Sequence, residues 1–261
     1  MIGQAKLKRE LERYGLNDLP HTIMFRGDDG CGKHVIVKEL TDRLGIELVD
    51  ITNDLNFETI SSIYEKASLC AYVIDLSESN DRQQNAILKL LEEPVSNSYI
   101  FVLVERNGHV LDTITNRCVI FDFEPYSDEE LLATQPKGRD YSKSIAFCRT
   151  PGRLLQTNES TIDDCELLCE AIVTRIGMSR LPNALTIAKR VNCKDEYDKI
   201  DFRMFIDVLS KKAFDHFVLG VRDSRMYDII SEERRKLLTY KPNKETFLEH
   251  LILRLWESER K

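Results

Sequence analysis

Residues 21–34, HTIMFRGDDGCGKH, place a short apolar strand directly before a glycine-rich loop. From Gly27 to Lys33 the loop has the pattern G-x-x-x-x-G-K, in which glycines let successive backbone N–H groups turn inward around phosphate oxygens. The apolar spacing of residues 35–44 predicts a helix whose positive end faces the same oxygens, while the Lys33 ammonium reaches the terminal phosphates. The segment therefore predicts a phosphate-binding loop between a strand and a helix.

Working outward, four further segments have strand patterns: 47–51, 70–75, 99–104 and 118–123. Apolar strands that alternate with helical patterns predict a parallel sheet covered on both faces, so the predicted fold class is α/β with five parallel strands. Beyond residue 125 only helical patterns recur, at about 163–176, 182–191, 201–219 and 244–258. The third of these carries an apolar stripe from Phe202 to Phe217, which is typical of core or partner-facing packing.

Composition excludes several classes of protein. A net charge of -7 over 261 residues argues against a generally basic nucleic-acid-binding surface. The first ten residues, MIGQAKLKRE, have no apolar core, and no apolar run is long enough to span a bilayer, so we expect a cytoplasmic protein without a membrane partner. Cys165 and Cys169 lie one helical turn apart, and we expect buried free thiols there rather than metal ligands.

The predicted nucleotide-binding residues are those of the loop and one carboxylate at the end of the third strand: Gly27, Gly30, Cys31, Gly32, Lys33, His34 and Asp75. His34 stands where such loops carry a Ser or Thr that ligates Mg²⁺, and imidazole is a poor substitute for the hard oxygen that this ion prefers. Asp28 and Asp29 add negative charge that would repel phosphate. We therefore expect ATP or ADP to bind weakly or not at all, and we predict no metal site.

Three segments carry a resemblance to a known family. Residues 84–94, QNAILKLLEEP, resemble the NALLKxLEEP helix of DNA-replication clamp-loader subunits of the AAA+ family. Residues 116–118, Asn-Arg-Cys, resemble the family's Ser-Arg-Cys motif, and residues 150–155, TPGRLL, resemble its SPGxAL segment. The chain is similar to the delta-prime subunits of bacterial DNA polymerase III clamp loaders, specifically across residues 2–155 and only in size and pattern beyond.

The resemblance implies an architecture and a set of partners. It implies an AAA+ nucleotide-binding-like domain over 1–124, a small helical lid over 125–176 and a helical collar for oligomerisation over 177–261. The partners would be other clamp-loader subunits and, through the complex, the sliding clamp and primer-template DNA. Family members often carry a four-cysteine zinc module, but only Cys70 lies between Lys33 and Asp75, so we expect no zinc.

The resemblance also implies roles for single residues. Active AAA+ members follow the metal-organising Asp with a Glu that polarises the attacking water, and here Leu76 follows Asp75. Leucine cannot orient or deprotonate water, so we expect no ATPase activity from this chain alone. In the family, the Arg of Ser-Arg-Cys enters the ATP site of the neighbouring subunit, which makes Arg117 the predicted arginine finger acting in trans.

Alternatives stay open at this point. Arg117 is also compatible with a surface arginine at the end of a helix, where the helix dipole favours it. The chain could be a motor subunit that hydrolyses ATP with Lys33, Asp75 and an unconventional base such as Glu78, or a stand-alone nucleotide-sensing scaffold. The family's sensing arginine aligns with Gly152, so the role of the adjacent Arg153 stays open too.

Overall fold

A computed structural model describes the chain from residue 3 to residue 260, except for 67, 78, 94, 96, 107, 135–141, 146, 158, 179, 181–182, 184, 193–199 and 240–241. Glu78 and Pro94, which the sequence analysis named, lie outside the described residues. The chain divides into two compact units: Met1–Thr134 with Arg149–Arg153, and Gln135–Cys148 with Leu154–Lys261. The three-domain division at residues 124 and 176 stays a prediction.

The first unit contains one parallel sheet of five strands in the order β2-β3-β4-β1-β5. The strands are β1 Thr22–Arg26, β2 Glu47–Asp50, β3 Cys70–Asp75, β4 Ser98–Val104 and β5 Val119–Asp122. All residues of the central strand β4 are buried, as expected where helices cover both faces of a parallel sheet. The predicted five-stranded parallel sheet is confirmed.

The two ends of the strands define two edges of the sheet. Since β1 runs parallel to β4 and β5, Thr22 lies beside Ile100 at the end where these strands begin, which we call the amino edge. Arg26 lies beside Val104 and Asp122 at the opposite end, the carboxyl edge. A strand rises about 3.3 Å per residue, so about 13 Å separates Thr22 from Arg26 along β1.

The first unit contains helices before, between and after these strands: Ala5–Glu12, Lys33–Leu44, Phe57–Glu65, Asp81–Ala86, Leu88–Glu92, Asp112–Thr115, Asp128–Ala133 and the beginning of Pro151–Gln156. The resemblance to the NALLKxLEEP helix implies a single helix from Gln84, which is wrong in detail, because two short helices meet at Ile87. The Ile87 N–H bonds to the carbonyl of Gln84, three residues back, which is 3₁₀ rather than α geometry. An Asn80 capping box, completed by Gln83, begins the first of the two.

The second unit is mainly helical, with Ser142–Ile145, Glu159–Arg175, Phe202–Val218, Arg225–Thr239 and Lys244–Ser258. The helix Arg225–Thr239 was not predicted. Its innermost positions include Met226 and Ile230 but also Glu233, whose side chain is only 2% exposed. Glu233 is buried because Arg254 and Lys236 pair with its carboxylate, so a charge stands where the sequence pattern requires an apolar residue.

The helix predicted over 182–191 is wrong only in its second half, because Asn183 and Leu185 are helical but the residues from 188 onward are not α-helical. Ala188–Arg190 form one 3₁₀ turn. Val191–Asn192 form a two-residue strand that pairs in parallel with Ile200–Asp201. The expectation that strands end before residue 125 therefore fails at this small ribbon. Such short pairings carry too few residues for a periodic signal in the sequence.

The apolar stripe of Phe202–Val218 is mostly internal to the second unit. Phe202, Phe205 and Leu209 are buried together with residues of the helices Glu159–Arg175 and Lys244–Ser258. Exposed apolar side chains instead gather near the end of the stripe, at Phe214, Phe217, Val218, Leu219 and Val221. Cys165 and Cys169 are free and fully buried, as the sequence predicted. No helix in the described part of the chain has the length and apolar character needed to cross a bilayer.

Candidate functional site

The phosphate loop begins after β1 and ends at the first residue of the helix Lys33–Leu44. Gly30 and Gly32 adopt φ values of 72° and 99°, a left-handed backbone that side chains disfavour. At Gly27 a Cβ atom would lie 2.7 Å from both Cys31 Sγ and Phe123 Cβ, so there is no room for a side chain. The glycines are thus required by the conformation of the loop itself.

Lys33 bonds to its own loop. Its Nζ donates to the carbonyl oxygens of Gly27, at 2.9 Å, and Asp28, at 3.2 Å, and the residue is buried. The ammonium group that would contact a terminal phosphate therefore already donates hydrogen bonds to the loop backbone. A phosphate would have to compete with two formed hydrogen bonds.

The segment Arg149–Arg153 belongs to the first unit and lies against the same loop. The Gly152 N–H donates to the Gly30 carbonyl at 2.9 Å, and the Thr150 hydroxyl donates to the Asp29 carbonyl at 2.7 Å. A Cβ at Gly152 would lie 2.7 Å from the Gly30 Cα, so glycine permits this close approach. Sequence reasoning did not identify this contact, although it had marked both segments.

Other loop residues have structural partners. The Cys31 carbonyl accepts a hydrogen bond from the Tyr126 hydroxyl at 2.7 Å, and burial raises the pKa of the Cys31 thiol to about 11. The Asp28 carboxylate lies 3.6 Å from Arg106 Nε. The predicted repulsion of phosphate by Asp28 is therefore partly offset, because an arginine stands beside it.

His34 and Asp75 contact each other at the carboxyl edge. His34 Nε2 lies 3.3 Å from Asp75 Oδ2, and Asp75 Oδ1 accepts the Ser77 N–H at 2.9 Å. Burial alone would raise the pKa of Asp75, but the hydrogen bonds from His34 and Ser77 outweigh it and lower the value to about 2. The hydrogen bond to Asp75 raises the pKa of His34, against the opposing effect of burial. The residues at two positions that would organise Mg²⁺ in a working site thus bond to each other.

This pair predicts a pH dependence of stability. The pKa of His34 is higher in the folded chain than in the unfolded chain. The resulting stabilisation is fully present when the pH is below the unfolded-state pKa, and it is lost as the pH rises through the folded-state pKa. The lowered pKa of Asp75 gives a second stabilisation, which is present above the ordinary aspartate pKa of 3.8 and is lost as pH falls toward 2. We expect His34→Gln to destabilise the chain most near pH 5 and to have little effect at pH 9. The destabilisation should be less than about 1 kcal/mol, because the His34 side chain is 54% exposed and solvent screens the pair.

Thermal unfolding of wild type and His34→Gln between pH 4 and 9 measures this effect. In an Asp75→Asn background the substitution should have no pH-dependent effect, which makes that variant the matched control. An equal destabilisation by His34→Gln at pH 5 and pH 9 would show that the ion pair contributes nothing.

Leu76 occupies the position at which the water-activating Glu of active relatives was expected. Its side chain is 1% exposed and belongs to the apolar core of the sheet, together with Ile74 and Val102. The side chain is therefore directed into the protein interior rather than toward the loop surface. Among the described residues, no cluster of three or more His, Cys, Asp or Glu side chains is arranged to hold a metal ion.

Arg117 lies at the amino edge, apart from the residues around the loop. Its carbonyl accepts the Thr22 hydroxyl at 2.5 Å, which fixes the backbone beside the first residue of β1. Its guanidinium, one-third exposed, donates to the Thr113 carbonyl and to Glu92 Oε1, each at 2.5 Å. No hydrogen bond in the described part of the chain joins Arg117 to the loop. The structure brings the predicted loop residues and Asp75 together and leaves Arg117 at the opposite edge.

Comparisons with known proteins identify relatives among the subunits of DNA polymerase III and replication factor C. Residues 45–127 match the model of a family described as DNA polymerase III, delta subunit. Over 127 residues the chain is 27% identical to the DNA polymerase III subunit delta' of Haemophilus influenzae, covering 43% of this chain and 39% of that protein. The chain is similar to clamp-loader delta-prime subunits. It is also 26% identical over 153 residues to the Replication factor C small subunit of Natronomonas pharaonis, covering 49% of this chain and 44% of that one.

One solved structure is similar to this chain in fold. A DNA polymerase III gamma subunit-related protein of Thermotoga maritima matches with a TM-score of 0.51 and 16% identity, covering 98% of this chain and 99% of that one. This likeness concerns the fold, which is that of AAA+ proteins, as predicted. The chain spans less than half the length of both curated relatives in the aligned regions.

Proposed function

We propose that this chain is a cytoplasmic, non-catalytic subunit of a DNA polymerase III clamp loader that supplies Arg117 to the ATP site of a neighbouring subunit. The observation that carries the proposal is the position of Arg117 at the amino edge, whereas the chain's own loop follows Arg26 at the carboxyl edge. About 13 Å of strand β1 lies between them. At the amino edge, the Arg117 guanidinium is too far from the loop of its own chain to contact a phosphate there. If it acts on a phosphate, that phosphate belongs to another subunit.

The residues of the loop support a site that does not turn over ATP. Lys33 is engaged by carbonyls of its own loop, and His34 bonds to Asp75. Leu76 is buried in the core and offers no group that could activate water. Each feature removes a different part of phosphoryl transfer, namely the phosphate contact, the metal and the positioning of the nucleophile. Nucleotide binding is accordingly weak or absent in this proposal.

We expect the purified chain to show no steady-state release of phosphate from ATP above background. Working ATPases turn over at about 1 s⁻¹ or faster, so even a hundredfold weaker activity is measurable. Lys33→Ala serves as the control and should leave the background unchanged, because the ammonium has no catalytic task to lose. Turnover at ordinary rates that Lys33→Ala abolishes would instead support the motor-subunit alternative.

Partner subunits are a further part of the proposal, because a finger that acts in trans requires a neighbour. The second unit exposes apolar side chains at Val218, Leu219 and Val221, and exposed apolar groups of this kind are typical of surfaces that another protein covers. In this proposal the second unit binds the partner subunits. The sliding clamp and primer-template DNA are bound by the complex as a whole. Identification of the proteins that co-purify with the chain tests the assignment, and a chain that purifies alone under mild conditions contradicts it.

A further inference from the structure

The two sequence motifs that pointed to clamp loaders meet in the folded chain. Glu92 is the last residue of the helix Leu88–Glu92, within the segment QNAILKLLEEP. Its Oε1 lies 2.5 Å from Arg117 Nη2, in the middle of the Asn-Arg-Cys motif. The motifs lie 25 residues apart in the chain at these positions, and neither motif alone indicates the contact.

We propose that Glu92 is a positioning residue that holds the Arg117 guanidinium in the orientation required by a neighbour's phosphate. The proposal rests on the proposed function of Arg117 and extends it to a second residue. The backbone of Arg117 is already fixed by Thr22, and the Thr113 carbonyl takes one N–H of the guanidinium. Glu92 takes a second N–H from the other terminal nitrogen, and two such contacts define the plane of the group.

The remaining surface of the guanidinium is available for a ligand. Arginine has five N–H donors in a rigid fork, of which these two contacts take two, and the side chain stays 33% exposed. An exposed ion pair is weak in water, so Glu92 constrains the direction of the arginine without sequestering its charge. A pre-oriented fork loses less conformational freedom when it meets a phosphate, which is the physical basis of positioning.

Glu93 offers a matched control. It follows Glu92 at the end of the same helix, carries the same charge and is also exposed, but makes no ion pair with Arg117 among the described contacts. The variants for a reconstituted complex are therefore Glu92→Ala, Glu93→Ala, Arg117→Ala and the double variant of Glu92 and Arg117. Glu92→Gln is added because its amide oxygen keeps the acceptor.

We expect Glu92→Ala to lower the Arg117-dependent part of the DNA-stimulated ATPase about threefold, mainly in kcat. Glu92→Gln should keep most of the activity, and Glu93→Ala should match wild type. Adding Glu92→Ala to Arg117→Ala should have no further effect, since Glu92 acts only through the arginine. In the isolated chain, Glu92→Ala should also speed modification of Arg117 by an arginine-specific dicarbonyl reagent, read by peptide mass, without a change in Tm.

The outcomes separate this proposal from the one on which it rests. If Arg117→Ala leaves the ATPase unchanged, both proposals fail. If Arg117→Ala lowers the rate but Glu92→Ala does not, or raises it, the positioning role is wrong and the arginine finger stands. A double variant that is less active than Arg117→Ala would also overturn the positioning role, because Glu92 would then act independently of Arg117.

Discussion

Replacement of Arg117 by Ala is expected to lower the DNA-stimulated ATPase of a reconstituted clamp loader while leaving the assembly of the complex intact. Arginine fingers supplied in trans raise the rate of phosphoryl transfer at the receiving site by about 10³-fold or more. We therefore expect one neighbouring site to lose nearly all of its ATP hydrolysis. The total rate should fall only in part, because other subunits supply arginines to other sites. The substitution should not unfold the chain, since the side chain is exposed and its ion pair with Glu92 is a weak surface contact.

Lys33→Ala in the same complex is the control for this experiment. The Lys33 ammonium is bonded to the loop carbonyls, and this chain's own site is proposed to be idle, so the rate of the complex should change little. Phosphate release at saturating ATP, with and without primer-template DNA, compares the two variants side by side. A complex that tolerates Arg117→Ala but loses activity with Lys33→Ala would make this chain a motor rather than a finger donor.

Restoration of the Asp-Glu pair by Leu76→Glu is expected to unfold the first unit rather than to create an ATPase. The Leu76 side chain is 1% exposed within the apolar core of the sheet, and a glutamate there would be a buried carboxylate without a described partner. Unpaired buried charges cost several kcal/mol, so we expect the free energy of unfolding to fall by about 4 kcal/mol at pH 7.

Leu76→Met is the matched variant for the stability measurement, because it nearly conserves volume and adds no charge. It should cost less than about 1.5 kcal/mol by urea denaturation of both variants against wild type. A Leu76→Glu chain that is as stable as wild type, or that gains ATP turnover, would show that the side chain can leave the core. If ATP turnover appears, Leu76 alone would account for the absence of ATP hydrolysis that we propose for this chain.

The sequence predicted the first unit well because its signals are local. Five apolar segments separated by helical patterns lead to a parallel sheet, and the glycines of residues 27–33 lead to a loop at the end of β1. The hydrophobic pattern did not predict a helix where a charged side chain is buried by ion pairing. The helix Arg225–Thr239 buries Glu233 against Arg254 and Lys236, a solution that hydrophobic periodicity does not detect.

The sequence by itself determined the parallel sheet, the glycine-rich loop after β1 and the two substitutions, His34 and Leu76, at positions where the chemistry of hydrolysis is expected. Only the tertiary structure decided which groups these residues meet. His34 bonds to Asp75 across 41 residues, Gly152 closes on Gly30, and Glu92 reaches Arg117. The contacts of His34 and Glu92 depend on the order of strands in the sheet, which brings distant segments together at its two edges. Hydrophobic periodicity along the chain does not specify that order.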